Sequence, residues 1–177
     1  MQIAESEKLN GNIENPADAL KFMFAGNAYF TLVSKKTGAR YTYRINKAKD
    51  SNNDQETMPW GKKGQKHQHP TWFVSLLSGP DNVGDYVYLG LVEEINGQKL
   101  FRLTRASKMT SQSAPVKAIT FALEIFKHNQ ISLLLEFWHA GRCGRCGKKL
   151  TVPEYKSGDE VWAGIKLGIG PECAGNL

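Results

Sequence analysis

Between residues 28 and 104 the chain is rich in strand-forming segments, and apolar and polar positions alternate with a period of two at residues 41–45 and 101–104. That pattern marks strands with one buried face. Residues 28–34 predict a first strand, and Thr37-Gly38 a hairpin turn after it. In the next strand Tyr41, Tyr43 and Ile45 share one face, while Thr42 and Arg44 share the other. Residues 71–77 predict a third strand and residues 86–94 a fourth. Asn96-Gly97 is the strongest short hairpin signal of the chain, and residues 99–104 form the fifth strand beyond it. The connections after residue 70 are short, so these strands are expected to run antiparallel to their sequence neighbours.

The period then changes. Val116, Ile119, Leu123 and Phe126 fall on one stripe of a helix opened by Ser113 and Pro115 and running to about His128. This helix is expected to cover one face of the sheet. Residues 132–139 read as a second, short helix, with Leu134, Leu135 and Trp138 anchoring the C-terminal segment on the body. Residues 1–20 carry no apolar periodicity and read as a flexible acidic lead-in. Residues 49–69 form a long polar loop containing Lys62 and Lys63, and a loop of that length is usually functional or disordered. The expected fold is therefore α+β: an antiparallel sheet of about five strands covered by a helix. The expected organisation is residues 1–20, a body over 21–130, and a small module over 131–177 packed on that body.

Chemistry concentrates in that module. All three cysteines of the chain lie there, in His139-Ala-Gly-Arg142-Cys143-Gly-Arg145-Cys146-Gly and in Gly170-Pro171-Glu-Cys173. Three thiolates and an imidazole make a standard closed, tetrahedral structural zinc set. Gly144, between the first two thiolates, and Gly147, just after the second, suit a tight turn whose backbone amides point at the sulfurs. Cys173 behind Pro171 suits the first turn of a closing helix, giving a treble-clef-like knuckle. His139 is the preferred fourth ligand, with Asp159, Glu172, His128 and His67 as alternatives. Cys-Gly-Arg-Cys also has the form of a redox pair. That chemistry needs an apolar helix after the motif, and here Lys148, Lys149 and Pro153 follow. An odd number of cysteines argues against a disulfide framework.

The segment from His139 to Glu154, together with Gly168-Ile-Gly-Pro-Glu-Cys-Ala-Gly, resembles a small zinc-knuckle domain of unknown function found in bacteriophage and plasmid proteins. The resemblance covers about the last 40 residues. The stretch from Tyr155 to Lys166 departs from it, being longer and more charged. Phe24-Ala-Gly-Asn-Ala-Tyr-Phe-Thr-Leu-Val-Ser and Trp72-Phe-Val-Ser-Leu-Leu-Ser-Gly-Pro-Asp-Asn are more loosely similar to uncharacterised phage proteins. The resemblance implies zinc and a mobile-element origin, and brings no activity with it.

Charge adds a partner class. Residues 1–20 hold one lysine against four acids, net −3, while residues 21–177 hold 22 basic and 13 acidic residues, net +9. A basic body suits a polyanion. Arg142, Arg145, Lys148 and Lys149 surround the knuckle cysteines. Arg44 and Arg102 lie on strands that also carry Tyr41, Tyr43, Tyr86, Tyr88 and Phe101. Cations beside sheet aromatics can hold phosphates and stack bases. Strand aromatics are more often core, so both uses stay open for each ring. No zinc-deaminase, H-E-x-x-H or Walker motif occurs. No export signal or membrane-length apolar stretch is visible, which points to the cytoplasm. The expected function is a non-catalytic, zinc-containing nucleic-acid-binding (DNA-binding or RNA-binding) protein of a phage or mobile element. The alternative is a protein-interaction factor, such as a phage inhibitor, meeting an acidic host protein.

Overall fold

The computed structural model describes residues 12–49, 69–81, 84–130 and 134–148. Its order is α1 (Pro16–Met23), β1 (Asn27–Ser34), β2 (Arg40–Lys47), β3 (Thr71–Leu77), β4 (Tyr86–Ile95), β5 (Gln98–Arg102), α2 (Ala114–Lys127) and β6 (Leu135–His139). The strands form one antiparallel, curled sheet in the order β5-β4-β3-β2-β1-β6. The fold is mixed α+β, as expected, with an N-terminal helix, α1, that the periodicity did not predict and a sixth strand where a second helix was expected.

The first correction is α1, where a flexible lead-in was expected up to residue 20. Asn15 caps this helix: its Oδ1 accepts from the amides of Ala17 at 2.9 Å and Asp18 at 3.3 Å. Pro16 occupies the first turn and Asp18 adds a negative charge near the helix N-terminus. Ala19, Phe22 and Met23 fall on one side and are fully buried. Truncating a buried ring such as Phe22 to alanine costs about 3–5 kcal/mol, so this short helix belongs to the core.

The second correction is β6, where a helix over 132–139 was expected. Five residues fit either period, because Leu135 and Phe137 are also two apart. The edge of β1 decides between them. β6 pairs with it from Phe30↔His139 to Ser34↔Leu135, turning Leu135 and Phe137 into the core. The outer edge of β6 receives the chain start, with the Ile13 amide donating to the Phe137 carbonyl at 2.9 Å.

The core lies between the two helices and one sheet face. Phe30 and Phe137 stack at 4.8 Å, and Phe22 and Phe126 meet Phe137 edge-on at 6.0 and 5.9 Å. The α2 stripe of Val116, Ile119, Leu123 and Phe126 is buried as predicted. Tyr43 is fully buried and donates its hydroxyl to the Pro115 carbonyl at 2.7 Å, joining β2 to the first turn of α2. Burial pushes its phenol far above the usual range, and the neighbouring Tyr41 adds to the rise.

The opposite face carries the complementary residues: Tyr29 on β1, Thr42 and Arg44 on β2, Ser75 on β3, Tyr86 and Tyr88 on β4. The Thr31 and Thr42 hydroxyls lie 2.8 Å apart across it. The rings of Tyr29 and Tyr86 lie 5.8 Å apart although two strands separate β1 from β4. At about 4.8 Å per strand, a flat sheet would hold them too far apart, so the sheet curls toward this face. The register shift between Val74 and Ser75 supplies part of the curl, leaving Leu89 as the extra residue of β4.

Candidate nucleic-acid interface

After β6 the chain turns back onto the start of β1. The Ala140 amide donates to the Tyr29 carbonyl at 2.9 Å, and the Asn27 amide to the Gly144 carbonyl at 2.7 Å. Within the turn, the Gly147 amide donates to the Cys143 carbonyl at 2.7 Å, and the Cys143 amide to the Lys148 carbonyl at 2.8 Å. The turn needs Gly147 for two reasons. Its φ is +75°, and a Cβ there would stand 2.6 Å from Asn27 Nδ2.

This docking delivers Arg142 to the concave face. Its Nη1 donates to the Gly147 carbonyl at 3.2 Å, and its guanidinium lies 5.4 Å from the centre of the Tyr29 ring. Arg44, opposite Tyr29 in the ladder, lies 5.4 Å from the same ring and donates Nε to Asn27 Oδ1 at 3.1 Å. Both are cation–π placements. Tyr86 completes the group, nearly perpendicular to Tyr29 at 80°. Burial pushes the Tyr86 phenol up, with Tyr29 adding to the rise, while Arg44 and Arg142 pull it back. Both guanidiniums are therefore within electrostatic reach of that phenol. Among the described residues neither forms a salt bridge with a carboxylate.

The carboxylates of this face are engaged elsewhere. Glu93 takes both Nε and Nη2 of Arg102, at 2.8 and 3.2 Å. Glu136 accepts from Trp138 Nε1 at 2.9 Å and lies 4.0 Å from Lys35. The cationic centre is thus flanked by two compensated ends.

The expected contact residues separate accordingly. Arg44 and Arg142 come together. Arg102, on the edge strand β5, does not join them, and its charge is compensated by Glu93. Arg145 contributes backbone to the docking: a Cβ at Gly26 would stand 2.7 Å from its carbonyl oxygen. Lys148 is exposed at the end of the turn. Lys62, Lys63 and Lys149 lie outside the described residues. Of the expected ring platform, Tyr43 belongs to the core, and Tyr41 and Phe101 pack against that core. Tyr86 and Tyr88 lie on the concave face, joined by Tyr29 and Phe73, which sequence reasoning did not single out. Alternation around Ala28, Phe30 and Leu32 would have assigned Tyr29 to that face.

The expected zinc ligands divide as well. Cys143 is buried and Cys146 exposed on the same turn. His139 lies 5.7 Å from the Phe22 ring, and burial lowers its pKa to about 4, so it is neutral near pH 7. Its Nδ1 accepts from the Gly141 amide at 3.1 Å, which puts the ring proton on Nε2. Metal ligation by His139 would therefore need either exchange of that hydrogen bond or a change of tautomer. The turn fits a pair of thiolate ligands, and the present state of His139 does not fit a fourth. No three His, Cys, Asp or Glu side chains gather as a metal site among the described residues, and Cys173 lies outside them. Among the described residues no helix is long and apolar enough to cross a membrane.

No protein-family model, curated protein or solved structure matches the chain.

Proposed function

We propose that the chain is a non-catalytic nucleic-acid-binding protein of phage or other mobile-element origin, working in the cytoplasm. It binds through the concave sheet face and the adjoining basic turn. One observation carries the reading. Arg44 and Arg142, nearly a hundred residues apart in the chain, both lie 5.4 Å from the Tyr29 ring. Guanidinium forks match phosphate oxygens, and rings match bases, so the group has the two chemistries of a nucleotide. The net +9 of residues 21–177, from 22 basic and 13 acidic residues, favours the approach of such a polyanion.

The test is fluorescence anisotropy with labelled oligonucleotides over a range of salt, comparing wild type with Arg44→Glu and Arg142→Glu. Each charge reversal is expected to abolish binding at physiological salt. Neutral glutamine variants are expected to lower the slope of log affinity against log salt by about 0.7–0.9 per arginine. Binding that ignores both arginines would sink the proposal. Failure to bind any oligonucleotide would instead favour an acidic protein as the partner.

We further propose that the turn is half of a structural, treble-clef-like zinc site, with Cys143, Cys146, Cys173 and His139 as ligands. Bound zinc would supply folding free energy to a segment too short to build much core of its own. The reading is supported by the closed Cys143–Gly147 turn, which carries two of the thiols, and it requires His139 to release Gly141. Metal analysis of the purified protein is expected to find stoichiometric zinc, lost in Cys146→Ser and in Cys173→Ser. Zinc-free protein with all thiols titratable would refute it. Zinc retained in full by His139→Gln would move the fourth ligand to another residue.

A further inference from the structure

We infer that the concave face selects single-stranded nucleic acid, with phosphate held between Arg44 and Arg142 and a base laid against the Tyr86 side of the ring cluster. This rests on the nucleic-acid reading and goes beyond it by naming the strand state. Three observations carry it.

The first is shape. Tyr29, Arg44 and Tyr86 spring from the floor of a sheet that curls toward them, so that rings three strands apart touch. All three side chains, and Arg142, are half-buried. A duplex is a stiff cylinder whose phosphates are best met by cations standing proud of a surface. These guanidiniums instead lie over a ring. A single strand can bend its backbone into such a hollow.

The second is the supply of ring faces. Tyr29 and Tyr86 meet at 80°, so one ring of the pair keeps both faces uncovered by the other. Both guanidiniums sit over Tyr29, which leaves the Tyr86 side for a base. A paired base inside a duplex has no face to offer, whereas every unstacked base has one.

The third is the distribution of charge. Arg44 and Arg142, which have no carboxylate partner among the described residues, stand at the β1–β2 side, beside the knuckle turn. Toward β5, Arg102 is neutralised by Glu93. A strand crossing the sheet therefore meets a phosphate-binding side first and an uncharged aromatic side next. Backbone and base of the same nucleotide need that order.

The experiment compares wild-type affinity, at physiological salt, for four labelled ligands of equal length: oligo-deoxyuridine, oligo-uridine, a DNA duplex, and an abasic DNA strand with the same phosphates. At least one single strand is expected to bind about tenfold or more tighter than the duplex, and the abasic strand to lose about tenfold against its base-bearing counterpart. Whichever of the DNA and RNA strands binds tighter identifies the sugar. Tyr86→Leu is expected to lower single-strand affinity by a similar factor without changing the salt slope, while Tyr86→Phe retains it. The abasic comparison uses unmodified protein, so it does not depend on how well a variant folds. Equal affinity for duplex and single strand, or for abasic and normal strands, overturns the inference while leaving the nucleic-acid reading in place. Failure of all four ligands to bind removes both.

Discussion

Gly147→Ala tests whether one backbone position supports both arginines. At this glycine φ is +75°, which costs an alanine about 1–2 kcal/mol. Gly141, six residues earlier in the same turn region, has φ +67° and nothing within 4 Å of an added Cβ. Gly141→Ala therefore carries the backbone cost alone and serves as the control. At Gly147 the new methyl would also meet Asn27 Nδ2 at 2.6 Å and Asn27 Cγ at 3.3 Å. Asn27 has to swing aside, and its Oδ1 then leaves Arg44 Nε. The Gly147 carbonyl moves too, and it holds Arg142. A partly exposed hydrogen bond to a charged group contributes about 1 kcal/mol, so Gly147→Ala should be less stable than the control by at least that amount. For a chain of this size each kcal/mol lowers Tm by about 2–4 °C. Thermal unfolding of both variants by circular dichroism measures the difference, and anisotropy measures oligonucleotide affinity. The expected result is an extra Tm loss of about 2–4 °C in Gly147→Ala, with weakened binding in that variant only. Equal Tm values and equal affinities would refute the idea that this glycine couples the turn to both guanidiniums.

Tyr43→Phe removes the hydroxyl that joins β2 to α2 and should cost about 1–2 kcal/mol in chemical denaturation, with oligonucleotide affinity retained. Unchanged stability would mean that this hydrogen bond does not hold the helix. The buried His139, with its pKa lowered to about 4, binds its proton in the unfolded state first. Its contribution is therefore present above about pH 6.5 and lost as pH falls from there toward 4, amounting to roughly 3 kcal/mol. Unfolding of chelator-treated protein across that range should show the loss, and His139→Gln should flatten it. The double variant Arg102→Gln/Glu93→Gln removes a compensated pair and should leave oligonucleotide affinity within about twofold of wild type. A large loss would return Arg102 to the binding face.

Local pattern was enough for β1 to β5 and α2. The alternation in β1, β2, β3 and β5 and the stripe on α2 reflect a rule of two environments, one side more buried than the other, that each segment obeys by itself, whereas β4 buries Leu89 to Val92 in a row around its register shift. The hairpin turns were legible for the same reason: Gly38, Asn96 and Gly97 adopt the positive φ that their residue types permit. The capping signal of α1 was also present, in Asn15, Pro16 and Asp18, but eight residues give the periodicity too little length to assert itself.

Tertiary structure alone decided which edge, which curl and which neighbours. Leu135–His139 is compatible with a helix until the open edge of β1 offers it a ladder of hydrogen bonds. The sequence assigned Arg44 to the face opposite Tyr43, yet could not bring Arg142 beside it, because that meeting depends on β6 returning the chain to β1 and on the Asn27 amide donating to the Gly144 carbonyl of the turn. It could not separate Arg44 from Arg102 either, since a charge is compensated or not according to its neighbours in space. A residue's preference for water or core is a property of its own side chain and survives into any fold. A binding site is a coincidence of distant residues, and only the closed chain produces it.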